Sequence, residues 1–190
     1  MNTILSRLLS LNKWYSFIVV AVYGCLFAEY ISEIATYNII IDQGGISEIL
    51  KVFLGVNFII TITSTMVVWV VFSLLFHIVA LLLDGQGKYN DLLRVSSYTT
   101  ILPSIAVEVA IFMLDEVYYA DFSYMPSYED VSISDELMSS LNIINYTYIS
   151  YYILNGVVVK FLYKLSWVKA ILSILIPIVS IWGVSELFDM

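Results

Sequence analysis

The apolar run at residues 52–83 constrains this chain more than any other feature. It holds 32 residues, and His77 is the only acidic or basic residue among them. As an α-helix it would be about 48 Å long, whereas the hydrocarbon core of a bilayer is about 30 Å thick. Tilt does not absorb that difference. Either the helix projects beyond the bilayer, or its start, around Gly55 and Asn57, forms a separate interfacial turn.

Four more apolar segments indicate that the chain crosses a membrane repeatedly. In lipid only helices or closed barrels satisfy the backbone polar groups, and these runs are too long for alternating strands. The sequence therefore predicts an all-α polytopic membrane protein, a single domain over residues 1–190 that folds as a five-helix transmembrane bundle. Pro103 and Pro177 lie inside segments and predict kinks. The five predicted segments are residues 14–31, 52–83, 95–114, 141–161 and 167–187.

Composition excludes several classes of protein. Apolar residues make up 61% of the chain and charged residues 13%, against about 45–50% and 25% in soluble domains. The 8 Lys and Arg against 16 Asp and Glu leave a net charge of −8, so the chain lacks the basic footprint of a nucleic-acid binder. One cysteine and one histidine do not make a disulfide or a zinc site. We expect no cofactor and no nucleic-acid partner.

Charge placement predicts the orientation in the membrane. In a five-pass arrangement seven of the eight Lys and Arg residues fall on one side, and only Lys51 falls on the other. The positive-inside rule then places the N-terminus in the cytoplasm and the C-terminus outside. An acidic loop at residues 115–136, with seven Asp and Glu residues, would lie on the outer face. Residues 1–12 have the pattern of an amphipathic helix on the inner membrane surface, or else they simply extend the first segment.

Polar residues inside the apolar segments are candidate site residues. Glu29, Glu108, Asn145 and Thr147 come to similar depths, about 20–22 Å from the cytoplasmic ends of their segments. Buried carboxylates there would form a cation or proton site, or would only join helices by hydrogen bonds; whether a metal binds is open. His77 is either an intramembrane switch or a neutral histidine bonded to a neighbouring helix.

Basic residues near the predicted inner surface are candidates for contact with anionic lipid. Each Lys or Arg close to such a surface contributes about 1 kcal/mol of attraction. The predicted basic ring consists of Lys88, Arg94, Lys160, Lys164 and Lys169.

The stretch at residues 77–104 resembles the Yip-domain family, five-pass membrane proteins related to Rab-interacting proteins of the Golgi. The resemblance rests on His77 near the end of a long second segment, followed by a glycine-containing turn and a hydrophobic stretch. In the turn and the hydrophobic stretch, the residues that carry the resemblance are Gly85, Gly87, Tyr89, Tyr98 and Pro103. The long cytosolic N-terminal region of eukaryotic members and its Asp-Leu-Tyr-Gly-Pro motif are absent. The resemblance therefore implies a minimal prokaryotic-type member of the plasma membrane and does not extend to Rab binding.

Two functional hypotheses follow from these patterns. The first is a non-enzymatic integral membrane protein that binds protein partners, a second copy of itself or membrane lipids, and that organises the bilayer. The alternative is a small cation or proton transporter or channel that uses the intramembrane carboxylates. No Ser/His/Asp constellation or Cys/His nucleophile pair is visible, so we expect no enzymatic activity.

Overall fold

A computed structural model describes residues 2–43, 48–120 and 135–188, with side chains at 3–35, 52–114 and 137–185. These parts of the chain are helical and contain no strand. The acidic side chains of the predicted outer loop, residues 115–136, and Lys51 lie outside the described side chains. The helices in these described ranges are α1 (Asn2–Ser10), α2 (Lys13–Gln43), α3 (Glu48–Leu82), α4 (Tyr89–Tyr98), α5 (Ile101–Ala120), α6 (Asp135–Tyr163) and α7 (Trp167–Phe188).

Within the described residues, four stretches of helix are long and apolar enough to cross a membrane. They are Lys13–Ala35 in α2, Val52–Leu82 in α3, Tyr89–Leu114 across α4 and α5, and Trp167–Ser185 in α7. The prediction of an all-helical, integral membrane protein is confirmed to this extent. The predicted fourth segment, residues 141–161, lies within α6, which at 29 residues is about 43 Å long. The tyrosine and asparagine residues of α6 make it less apolar than the four stretches given above.

Two alternatives left open by the sequence are decided by the helix boundaries. Helix α3 runs unbroken through Gly55 and Asn57 for 35 residues, so the separate interfacial turn is wrong and the helix exceeds the thickness of a bilayer core. Helix α1 is separate from α2, because the chain leaves the helical path at Leu11 and Asn12. The Asn12 side chain caps α2 by accepting a hydrogen bond from the Trp14 amide at 3.2 Å.

The predicted third segment, residues 95–114, differs from the structure at its start. The helix begins at Tyr89 and is interrupted at Thr99 and Thr100. Pro103 explains the interruption, since its ring lacks an N–H and clashes with the carbonyl four residues earlier, that of Thr99. The backbone tightens there into bonds from Thr99 N to Ser96 O and from Thr100 N to Ser97 O, each 3.2 Å. The kink predicted from Pro103 is therefore a full break between α4 and α5.

The long helices form a ring in which each packs against two neighbours. Helix α3 packs against α2 and α7, α6 packs against α5 and α7, and α5 packs against α2. The break before α5 lets α4 leave this ring and contact α2, α3 and α6. Leu92 and Val95 of α4 are consequently buried in an apolar cluster that also includes Phe76 and Ile174.

One end of the bundle contains the C-terminal ends of α3 and α6 and the N-terminal ends of α4 and α7. We call it the basic end. Helices α3 and α6 both finish in Schellman-type caps, with Asp84 at φ 68° and Lys164 at φ 56°. The matching bonds run from Gly85 N to Ala80 O at 2.9 Å and from Leu165 N to Lys160 O at 3.1 Å. The Gln86 amide donates to the Tyr163 carbonyl at 3.2 Å, which joins the two caps.

Candidate functional site

The predicted carboxylate site is not assembled within this chain. Glu29, Glu108 and Asn145 are exposed on the outer surface of the bundle. Thr147 is half-buried, and its hydroxyl donates to the Ile143 carbonyl of its own helix at 2.8 Å. The expectation that Glu29 and Glu108 face the bundle interior is therefore wrong.

Helix rotation explains this difference. In α2 the residues on either side of Glu29, Ala28 and Tyr30, are buried, and in α5 Val107 is buried beside Glu108. Successive residues of an α-helix point about 100° apart. Counting residues from the segment ends addresses depth alone, and an error of one position in rotation turns a side chain from the interior to the outside.

His77 joins two helices. Its Nδ1 lies 2.5 Å from the Tyr163 hydroxyl of α6, and its ring packs beside that of Tyr89 at a centroid distance of 5.5 Å. The half-buried histidine therefore has the interhelical hydrogen bond that the sequence offered as its simpler interpretation.

The glycine turn is shaped by the same tyrosine. A Cβ at Gly85 would lie 2.6 Å from the Ala80 carbonyl oxygen and 2.9 Å from the Tyr163 ring, and one at Gly87 would lie 2.7 Å from that ring. The left-handed cap position itself is taken by Asp84. The two glycines are thus required for space, because the aromatic ring of α6 packs flat against this turn.

The other residues behind the family resemblance lie along the broken segment. The Tyr89 hydroxyl donates to the Val70 carbonyl at 3.3 Å. Tyr98 has a buried hydroxyl with no hydrogen-bond partner among the described residues. Pro103 is buried and lines an interior cavity.

Three of the five predicted basic-ring residues have partners within the protein. Arg94 Nη2 donates to the carbonyls of Leu9, at 2.8 Å, and Leu11, which fixes the end of α1. Lys169 Nζ lies 2.8 Å from Asp84 Oδ2, and this hydrogen bond and charge hold the pKa of Asp84 below its usual range.

Lys160 Nζ lies 4.6 Å from the centre of the Phe161 ring and 4.7 Å from that of Trp167. Lys88 and Lys164 are exposed. These five residues all lie at or near the basic end, but only Lys88 and Lys164 present their charge without one of these contacts.

A polar layer crosses the bundle at the break between α4 and α5. Ser96 is its centre: the Trp69 Nε1–H donates to Ser96 Oγ at 3.1 Å, and Ser73 Oγ lies 3.0 Å from the same oxygen. Asn155 of α6 donates to Thr99 Oγ1 at 2.9 Å and to the Tyr151 carbonyl at 3.0 Å. Irregular backbone at membrane depth is tolerated only where protein or a cavity surrounds it, and this layer provides that surrounding.

An aromatic cavity of about 360 Å³ lies next to the polar layer. Thr100 and Pro103 line it at the break, so the cavity adjoins the point where α4 leaves the ring of helices. Tyr148 and Tyr152 place it about 17–23 Å from the end of α6 at Tyr163. Among the described side chains that line it none is charged. Its aromatic lining consists of Tyr23, Phe27, Trp69, Phe72, Tyr148, Tyr151 and Tyr152, and we call it the aromatic cavity.

The aromatic cavity opens on the side of α3. Ile60 and Val68 both line it and are 56% and 51% exposed. Helix α7, which packs beside α3, contributes no described side chain to the lining, and its outer residues Val179 and Trp182 are 58% and 64% exposed. The opening therefore lies on the lateral surface of the bundle, which in a membrane protein is the surface that contacts lipid.

Most hydrogen-bond donors around the cavity are already used. The Trp69 N–H binds Ser96, and the hydroxyls of Thr61, Thr65 and Thr100 each donate to a carbonyl of the local backbone at 2.6–2.9 Å. The hydroxyls of Tyr23 and Tyr148 bond to each other. The cavity thus offers aromatic rings and hydroxyl groups, and the hydroxyls of Ser64 and Tyr152, which form none of the described hydrogen bonds, remain as donors.

Sequence reasoning missed both the polar layer and the aromatic cavity. One signal was present: Tyr148, Tyr151, Tyr152 and Asn155 recur at intervals of three and four residues, which places them on one face of α6. A polar, aromatic face in a helix of an otherwise apolar bundle indicates an interior lining. On α3 the lining residues Thr61, Ser64, Thr65, Trp69 and Phe72 recur at the same intervals.

The chain was compared with known proteins in three ways. A scan against protein-family models finds no match, and searches of curated proteins and of solved structures find none either. Within the described side chains, no group of three or more His, Cys, Asp and Glu residues is close enough to hold a metal ion. The aromatic cavity and the polar layer beside it are therefore the candidate functional site.

Proposed function

We propose that this chain is a non-enzymatic integral membrane protein that binds the apolar chain of a membrane amphiphile in its aromatic cavity. The observation that carries the proposal is the lateral opening of that cavity at Ile60 and Val68. A cavity of this volume lies in the range of small-molecule sites, about 300–1,000 Å³, and such sites occur between the helices of bundles. Since the opening lies on the lipid-facing surface, a ligand enters from the bilayer.

The five-pass topology and its orientation form part of the same proposal. With α6 as the fourth crossing, the basic end lies in the cytoplasm and residues 115–136 lie outside. Membership of the Yip-domain family stays a prediction carried by the residues of the glycine turn and by this architecture. A transporter built on Glu29 and Glu108 gains no support, because both side chains are exposed on the outside of the bundle.

Fluorescence quenching by brominated lipid tests the proposal. A bromine atom on an acyl chain quenches tryptophan only at close range, so we consider a variant that keeps Trp69 alone, with Trp14, Trp167 and Trp182 replaced by Phe. Trp69 is only 3% exposed, yet we expect strong quenching in nanodiscs of brominated phospholipid. A matching variant that keeps only Trp182 reports contact with bulk lipid.

Filling the mouth of the cavity provides the control. Val68→Phe enlarges a side chain at the opening and should reduce quenching of Trp69 by at least half. Val67→Phe makes the same change at a neighbouring position that is 55% exposed and does not line the cavity, and it should leave quenching unchanged. If Trp69 is not quenched while Trp182 is, or if the two valine variants behave alike, lipid does not occupy the cavity.

A further inference from the structure

We infer that the aromatic cavity selects organic cations, and that its preferred ligand is a quaternary ammonium group carried on an apolar chain. This inference rests on the proposed function, since it specifies the chemistry of the ligand that enters the same cavity. It depends on three features of the lining: its ring faces, the state of its hydrogen-bond donors and its charge.

The ring faces provide the attraction. Seven aromatic side chains surround about 360 Å³, and the face of an aromatic ring attracts a cation within about 6 Å of its centre. Cages of this kind are the usual protein site for quaternary ammonium groups, which have no N–H to donate and so require no acceptor. The rings of Tyr148, Tyr151 and Tyr152 lie at successive centroid distances of 6.4 Å and 5.3 Å and pack edge to face, so they form a contiguous aromatic cluster on α6.

The hydrogen-bond donors of the lining disfavour an anion. A buried carboxylate or phosphate requires N–H and O–H groups or a cationic side chain, or its burial costs several kcal/mol. Here the Trp69 N–H and the hydroxyls of Thr61, Thr65 and Thr100 bind protein acceptors, and the described lining contains no Lys or Arg. The hydroxyls that remain, those of Ser64 and of the tyrosines, accept hydrogen bonds as well as donate them, so they also tolerate a cation.

The same argument separates two sources of a quaternary ammonium group. In a phosphatidylcholine the ammonium is attached to a phosphate, which would enter a cavity with few free donors. A simple alkylammonium brings no anion with it. The whole chain carries a net charge of −8, which raises the local concentration of cations near the protein. We therefore assign the cavity to a lipophilic cation without an attached phosphate.

Displacement of brominated lipid from the protein that keeps only Trp69 tests the assignment. Dodecyltrimethylammonium should restore Trp69 fluorescence at a membrane concentration at least tenfold lower than its neutral isostere, in which carbon replaces nitrogen. Lysophosphatidylcholine should act between the two, and dodecyl sulfate should be the weakest. If the cation and its isostere displace equally, the selectivity is wrong while lipid binding stands. If lipid never quenches Trp69, both proposals fall.

Variants at Tyr152 test whether its aromatic ring contributes to the preference for the cation. Tyr152→Leu removes one ring face and should reduce the preference for the cation by at least threefold, whereas Tyr152→Phe keeps the ring and should retain the preference. Tyr146→Leu is the matched control, because Tyr146 lies on the same helix, is 70% exposed and does not line the cavity. Equal loss in Tyr152→Leu and Tyr152→Phe would show that the hydroxyl, and not the ring, recognises the ligand, and would overturn the inference.

Discussion

At the scale of single residues, close contacts at the basic end decide which side chains the chain tolerates. Gly85 and Gly87 leave room for the Tyr163 ring, whose hydroxyl lies 2.5 Å from His77 Nδ1. Because Tyr163 is only 1% exposed, it has little freedom to move away from a new methyl group. The glycines behind the family resemblance thus have a structural role that does not depend on any ligand.

We expect Gly87→Ala to lower the melting temperature of the purified protein in detergent. Its Cβ would lie 2.7 Å from the Tyr163 ring, and such overpacking costs about 1–3 kcal/mol. Gly183→Ala is the matched control, since a Cβ there meets nothing within 4 Å. Alanine in a helix is favoured over glycine by about 0.5–1 kcal/mol, so the control should raise the melting temperature. Shifts of the same sign would contradict this account.

Ser96 is a second residue whose side chain fixes its neighbours, here Trp69 and Ser73. Ser96→Ala leaves the Trp69 N–H without its acceptor and breaks the contact with Ser73. We expect a loss of about 0.6–1.7 kcal/mol, the range of interhelical polar contacts in membranes. Ser97→Ala is the control: Ser97 is fully buried but donates only to the Arg94 carbonyl of its own helix. Thermal denaturation that finds the two variants equally stable would remove Ser96 from the centre of the polar layer.

At the scale of helices, the ends are joined by side chains that reach carbonyl groups. The last carbonyls of a helix have no partner within it, and they carry the negative end of the helix dipole. Arg94 reaches the Leu9 carbonyl in the last turn of α1 and the Leu11 carbonyl just after it, and Lys169 reaches the Leu83 carbonyl at 3.0 Å as well as Asp84. Each cation thus satisfies carbonyl groups at the end of one helix from a position on another.

Replacement of Arg94 should release α1 from the bundle. We expect Arg94→Gln to increase amide hydrogen exchange across residues 2–12 by at least tenfold, while exchange in α3 is unchanged. Lys88→Gln removes an equal charge at the same end from an exposed position and should leave exchange in α1 as it is. Continued protection of α1 in Arg94→Gln would show that the buried Leu5 is sufficient to hold it.

The link between α3 and α7 should depend on pH in one direction. Since Lys169 lowers the pKa of Asp84, the pair stabilises the fold above the unfolded pKa of the carboxyl, about 3.9. That contribution is lost as the pH falls through the folded pKa. The melting temperature of the wild type should therefore exceed that of Asp84→Asn at neutral pH, and the difference should vanish in acid.

The variant Lys169→Met supplies the control for this link. In its background, Asp84→Asn should have no further effect on the melting temperature at neutral pH. A difference between wild type and Asp84→Asn that grows in acid would reverse the sign and rule out the pair as its cause.

At the scale of the whole molecule, the broken third segment organises the interior. Pro103 interrupts the helix, α4 turns into the bundle, and the polar layer forms where the two pieces meet. The aromatic cavity remains beside that junction, because α4 fills the bundle only on the basic side of the break. The bundle is thus packed at the basic end and open laterally beyond it.

Cysteine labelling in intact cells checks the proposed orientation. In a Cys25→Ser background, an impermeant maleimide should label Ser127→Cys, in the acidic loop, and should not label Lys88→Cys at the basic end. Permeabilised cells, in which both cysteines should react, provide the control for accessibility. Labelling of Lys88→Cys alone in intact cells would invert the topology.

The sequence by itself determined that the chain folds into long helices and that these helices suit a membrane. Long apolar runs leave no other way to satisfy the backbone in lipid, so the predicted segments recur as α2, α3, α6 and α7 with ends shifted by 12 residues or fewer. The positions of the basic residues along the chain likewise predict that they group at one end of the bundle. Pro103 even signals the kink, because its missing N–H is a local property.

Only the tertiary structure decided which faces of these helices meet. Rotation changes by about 100° with each residue, and hydropathy is nearly uniform around a membrane helix, so composition does not mark its inner face. For that reason Glu29 and Glu108 came to a similar predicted depth and yet lie outside, whereas Ser96, Asn155 and Trp69 meet inside. The aromatic cavity is defined by contacts between residues more than 100 positions apart, such as Tyr23 and Tyr148, and no local pattern specifies that pairing.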